Sequence, residues 1–254
     1  MLKLASAAAL LAPPIAATAA APSFEAGTSA AFTAFAKGDY KRAEELWSQA
    51  VEAYPQQPLA WANLATLLII NASDEMKLGE LPTGDALQRL ERALVAIDKS
   101  EQLGSTPDAL LLNTRGNALG LLQRWEAAQQ AYTASADASR RDFASIPRSN
   151  AALTSFELRQ DERAEREVRT LLRRDPQFVD GTALLAVLQW SRGDVGGATV
   201  SYAALCEQPL FCKTYSTDAA VLGRWTPRAV EAFRSLLREP AVQRERKNAA
   251  VLAR

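Results

Sequence analysis

Residues 109–132 read ALLLNTRGNALGLLQRWEAAQQAY, and three residues in this stretch set a register for most of the chain. Gly116 and Ala128 stand twelve residues apart, and Tyr132 follows Ala128 by four. Between them, Gln123-Arg124-Trp125 interrupts the apolar periodicity. Helices joined by so short a turn must lie side by side. Where they touch, each needs a small residue, because a larger side chain would push the axes apart. One turn further on, a large side chain fills the space toward the next helix pair.

The register recurs. Ala43, Ala86, Ala128, Ala164 and Ala198 occupy the small-residue position, followed four residues later by Trp47, Leu90, Tyr132, Val168 and Tyr202. Counting back twelve reaches Ala31, Gly116, Ala152 and Ala186. The count fails in the second unit, whose first helix is marked by Trp61, Leu64, Ala65 and Leu68; the mismatch predicts an insertion in its turn, from Asn71 to Gly84, as a mobile loop. A period of about 34 residues is the signature of stacked helix-turn-helix units. The fold expected is all-α: an α-solenoid of about five such repeats near residues 24–57, 58–99, 109–142, 145–178 and 179–212, plus a C-terminal capping helix. Pro55 and Pro176 close two of the units. Thr226 and Pro227 read as the N-cap and first residue of the capping helix, with Ala229, Val230, Phe233, Leu236 and Leu237 as its apolar stripe.

Three domains follow: a leader over 1–21, the array over 22–212, and the cap and tail over 213–254. The leader carries one charge, Lys3, an apolar core from Leu4 to Leu11, then Pro13-Pro14 and a run of small residues ending at Ala21. That layout predicts a cleavable export signal. Its apolar core is far short of the ~20 residues that span a bilayer.

Composition narrows the function. The 254 residues hold 29 Lys plus Arg against 29 Asp plus Glu, so no net field draws nucleic acid. Histidine is absent, which removes the commonest general base and metal ligand and excludes serine–histidine and cysteine–histidine nucleophiles. The sequence has no glycine-rich phosphate loop, and two cysteines alone make no thiolate zinc site. The expectation is a protein with no catalytic residue, metal or cofactor, acting on a protein or peptide partner that could itself hold it at a membrane.

Through these residues the chain resembles the tetratricopeptide repeat superfamily over 24–212. The run from Asp108 to Gly120, then Arg124-Trp125 and the later Arg224-Trp225-Thr226-Pro227, is similar to exported tetratricopeptide proteins of cyanobacteria and plastid thylakoids. Gln123 stands where those relatives have a turn glycine, and Thr226 where they have a first proline. The resemblance implies a scaffold or assembly factor, in the thylakoid lumen or thylakoid-associated, serving photosynthetic complexes. The alternative is a periplasmic subunit of bacterial envelope or secretion machinery.

In this fold the first helix of each pair lines a concave groove, which places Asn63, Thr66, Asn113, Asn117, Ser149 and Asn150 in or beside it. Asparagine both donates and accepts, so Asn113 and Asn117, one turn apart, suit an extended peptide backbone. The competing reading is that these side chains satisfy the array's own turns. Phe32, Phe35, Leu153, Phe156 and Trp190 are either an apolar groove floor or core between repeats. The lysines of a two-carboxylate clamp are missing, so an acidic chaperone tail is not the expected ligand. The charge-rich stretch from Arg159 to Asp175 reads as a solvated helix face. Cys206 and Cys212 read either as a short-loop disulfide, if the compartment is oxidising, or as a pair of buried or free thiols. Asn71-Ala72-Ser73 matches a glycosylation sequon.

Overall fold

A computed structural model describes residues 23–104, 108–140 and 144–252. The leader expected over 1–21 lies outside the described residues. Ten helices form five antiparallel pairs: α1 (Phe24–Ala36) with α2 (Tyr40–Ala53), α3 (Pro58–Glu75) with α4 (Gly84–Leu103), α5 (Ala109–Leu121) with α6 (Trp125–Ala138), α7 (Ser145–Glu157) with α8 (Asp161–Arg174), and α9 (Val179–Ser191) with α10 (Val195–Cys206). Successive pairs stack, and no strand occurs among the described residues. No described helix is long and apolar enough to cross a membrane.

The register residues lie where close packing requires them. Ala43, Ala86, Ala128, Ala164 and Ala198 are all buried, as are Trp47, Leu90, Tyr132, Val168 and Tyr202. Asp39, Asp108 and Asp194 cap the helices that follow them, each side chain accepting a backbone N–H of the first turn. The tight turns use a positive φ at Gly38 and Gly193, and the same conformation is forced on Gln123 and Arg159.

The second unit departs from the expected loop. Its insertion mostly lengthens helices, since α3 runs to Glu75 and only residues 76–83 separate it from α4. Asn71, expected in the turn, is 3% exposed inside α3. Its amide donates to the Tyr40 carbonyl at 3.1 Å and to Glu44 Oε2 at 2.7 Å, so the sequon is closed to modification in the folded chain. Residues on α2 made this difference, because a polar side chain with partners there is more stable in helix than in a free turn.

The apolar core falls into two large clusters, one across the first two pairs and onto α5, and one across the last two with the C-terminal helices. The seam between α6, α7 and α8 adds a polar network to a small apolar contact of Ala128 and Tyr132 with Ala151. Gln129 Nε2 donates to Ser155 Oγ at 2.8 Å, and Ser155 donates to Glu167 Oε2 at 2.8 Å. Every member is paired, which is what lets such a network sit inside the stack.

The C-terminal region does two jobs where one cap was expected. After α11 (Pro209–Thr214) and a 3-10 turn (Asp218–Ala220), α12 (Pro227–Leu236) packs against α7 and α9, the first helices of their pairs, and so fills the groove side of the array. The stack is closed by α13 (Pro240–Leu252), which packs against α10 and α11. Arg228 anchors α12: its guanidinium lies 3.8 Å over the Phe156 ring and pairs with Asp161, Nη2 to Oδ2 at 2.7 Å. Thr226 precedes α12 but its hydroxyl makes no cap; it points toward the Leu153 carbonyl at 3.5 Å.

Glu165 ties the last two pairs together, bonded to Arg169 at 2.7 Å on its own helix and to Arg192 in the next turn. Burial works against its charged form, but the two guanidinium groups outweigh that and hold the carboxyl below its usual range. A depressed carboxylate contributes stability that is present above about pH 4.3 and lost as pH falls through the folded value. Glu165→Gln therefore lowers unfolding free energy by about 1 kcal/mol near neutrality, because both arginines are half exposed. In urea titrations followed by circular dichroism the gap to wild type closes on acidification; a gap that stays constant contradicts the ion-pair account.

Candidate functional site

A cavity of about 800 Å³ opens on the groove face between α3, α5 and α7. One wall is the 76–80 segment of the second unit's loop; another is the segment 222–227 leading into α12. Four of the residues expected in the groove, Asn113, Asn117, Ser149 and Asn150, line this cavity together. Asn63 and Thr66 do not line it. Thr66 spends its hydroxyl on the Ala62 carbonyl at 3.0 Å, and Asn63 Nδ2 is buried on α3 without a hydrogen-bond partner among the described residues.

The run from Arg115 to Gly120 works as one device. Arg115 reaches back to α4, pairing with Asp98 at 2.6 Å and Glu101 at 2.9 Å, which fixes the rotation of α5. Gly116 leaves room for the Tyr132 ring: a Cβ there would stand 2.8 Å from Tyr132 Cζ and closer still to two other ring carbons. The ring thereby crosses α5 and its hydroxyl donates to Asn117 Oδ1 at 2.9 Å. Burial pushes the Tyr132 hydroxyl well above its ordinary pKa, so it stays a donor. An amide oxygen only accepts, hence this bond turns the Asn117 Nδ2 donors away from Tyr132. Asn150 Nδ2 likewise donates to Asn113 Oδ1 at 3.1 Å, leaving the Asn113 amide nitrogen uncommitted among the described residues. Two donor groups one helical turn apart are thus held in fixed orientation on the cavity floor.

The walls are tied down. Gln123, strained at φ 54°, uses its amide to donate to the Gly79 carbonyl at 3.1 Å, and Gly79 in turn lies near Pro227. The glutamine at a glycine position is explained by this tether. On the 222–227 wall Arg224 forks onto Asp180, Nη1 to Oδ2 at 2.7 Å and Nη2 to Oδ1 at 3.1 Å, and the Tyr215 hydroxyl donates to the same carboxylate. Trp125 and the buried Trp225 supply aromatic lining.

The apolar residues divide. Leu153 and Phe156 are buried beneath α12 and its lead-in, whereas Phe32 and Phe35 are 48% and 43% exposed on α1. Trp190 is half-buried against the C-terminal core. Cys206 and Cys212 are joined by a disulfide, with Cα atoms 4.3 Å apart. No group of three or more His, Cys, Asp or Glu side chains among the described residues is arranged to hold a metal ion.

A family model described as tetratricopeptide repeat matches residues 24–67. The fold is an α-solenoid of helix-turn-helix repeats like those of tetratricopeptide proteins. The structure of Pseudomonas aeruginosa PilF is similar, with a TM-score of 0.53 and 16% identity over 89% of this chain and 97% of that one. YrrB, a tetratricopeptide protein with an unusual peptide-binding site, aligns with a TM-score of 0.49 and 18% identity over 82% of this chain and 93% of its own. At these identities the likeness is one of fold alone. No curated protein matches the sequence.

Gly116→Ala forces the Tyr132 ring off α5 and lowers stability by about 1–3 kcal/mol in urea unfolding. Tyr132→Phe keeps the packing and loses about 1 kcal/mol, the worth of the hydroxyl bond to Asn117. Equal and negligible effects from both would mean that the ring does not occupy this site.

Proposed function

We propose that the protein is a non-catalytic scaffold or assembly factor that holds an extended segment of a partner protein in the groove cavity. The observation that carries this reading is the pair of oriented amide donors at Asn113 and Asn117, beside the acceptor oxygen of Asn150. An extended backbone offers carbonyls and N–H groups at a spacing that such a floor can meet, whatever the partner's side chains. The aromatic and aliphatic walls supply apolar contacts around it. Because the 222–227 segment and α12 already fill the groove over α7 and α9, the open length is short and suits a few residues of partner chain.

We further place it outside the cytosol. The leader pattern and the disulfide-forming cysteines favour an oxidising compartment, and the resemblance of the 108–125 and 224–227 segments favours the thylakoid lumen, with photosynthetic complexes as the assemblies served.

The test is capture of the mature chain's partners from the host's own membranes, beside the double variant Asn113→Ala plus Asn117→Ala, with circular dichroism to confirm that the variant folds. Two lost hydrogen bonds of about 1 kcal/mol each reduce retention roughly tenfold or more. Partners retained equally by both chains would sink the groove reading, and recovery of bacterial envelope proteins would sink the thylakoid placement.

A further inference from the structure

The short helix α11 packs between α10 and α13 and is tied to α10 by one covalent bond. Cys206 ends α10, Cys212 lies within α11, and the disulfide joins them across a separation of six residues. Six residues do not hold a helix unaided, and Cys212 is the one buried residue of α11. Directly after it comes Tyr215, which is buried. Its carbonyl accepts from the Tyr202 hydroxyl at 2.8 Å, and its own hydroxyl donates to Asp180. Asp180 is the carboxylate that holds Arg224, and Asp180, Arg224 and Trp225 all line the groove cavity. A continuous set of contacts thus runs from the disulfide to the cavity wall.

We propose that the Cys206–Cys212 disulfide is a redox latch that sets how firmly the Leu222–Trp225 wall closes the cavity. The reductant is a dithiol. Its thiolate attacks Sγ of the half-buried Cys206, since Cys212 is the more enclosed sulfur. The S–S bond breaks, Cys212 leaves as a thiolate and takes up a proton, and the second thiol of the reductant displaces Cys206. Two electrons and two protons end on the two cysteines, and the dithiol becomes a disulfide.

Once reduced, α11 keeps only its packing on α10 and α13, and Tyr215, still bonded to Tyr202 and packed on Phe233, approaches Asp180 less firmly. Arg224 then holds that carboxylate with less support, in a half-exposed pair that contributes little. The five helix pairs keep their own packing, so the change stays local to this wall. The effect on partner binding rests on the groove reading above; the change in local order does not.

The experiment is hydrogen exchange with mass spectrometry on the full chain, oxidised and after dithiothreitol, beside the double variant Cys206→Ser plus Cys212→Ser and the single variant Tyr215→Phe. Amides across 215–225 are expected to exchange roughly ten- to fifty-fold faster in the reduced chain and the double variant, the scale of a short-loop crosslink, with the helix pairs unchanged. Tyr215→Phe reproduces the rise at 222–225 with the disulfide intact. A rise confined to 206–214 overturns the latch, and so does one that spreads through the whole array, since the bond would then be a general stabiliser. A chain whose exchange responds as expected but whose partner retention ignores Asn113 and Asn117 supports the latch and overturns the groove reading alone.

Discussion

Everything in this array depends on how closely the two helices of each pair approach. Ala43, Ala86, Ala128, Ala164 and Ala198 are buried at the contact, and a bulkier side chain at any of them would separate the pair and tilt the next one. Because each unit touches only its neighbours, such a tilt would propagate along the stack. In the third unit the demand is sharper: the contact residue on the first helix is Gly116, and the space it leaves is occupied by the Tyr132 ring. The same close approach that stabilises the pair therefore delivers a hydroxyl to Asn117. Packing and the orientation of the groove floor are one arrangement.

The groove is shaped as much by chain that is not repeat as by chain that is. The segment 222–227 and α12 lie over α7 and α9, held by Arg228 on Phe156 and Asp161 and by Arg224 on Asp180. The loop 76–80 closes another side, tethered through Gln123. A repeat array with an open concave face would accept a long ligand; this one leaves a bounded cavity. The disulfide sits at the far end of the contacts that hold one of its walls, so a bond remote from the groove bears on its shape.

Legibility varied with the range of the interaction. The alanine register was readable because it repeats at fixed spacing, and the chain-local caps at Asp39, Asp108 and Asp194 were within reach of the same reading. Asn71 was misplaced because its partners, Tyr40 and Glu44, lie on another helix; seen along the chain alone, an asparagine after an apolar run looks like the start of a turn. Asn113, Asn117, Ser149 and Asn150 line one cavity because they lie on neighbouring first helices, and nothing in their spacing along the chain separates Asn63 and Thr66 from them. Gln123 in a glycine position was visible, but its purpose depends on Gly79, forty-four residues away.

By itself the amino-acid sequence determined the fold class, the pairing of helices and the absence of histidine-based chemistry, since these follow from local periodicity and composition. Tertiary structure alone decided where α12 lies, which amide nitrogens are left uncommitted, and which residues wall the cavity. The physical reason is that helix formation and pairing are governed by neighbours at separations of three, four and about a dozen residues, whereas the course of the segment after the last repeat is set by contacts such as Arg228 with Asp161 and Thr226 with Leu153, across 67 and 73 residues.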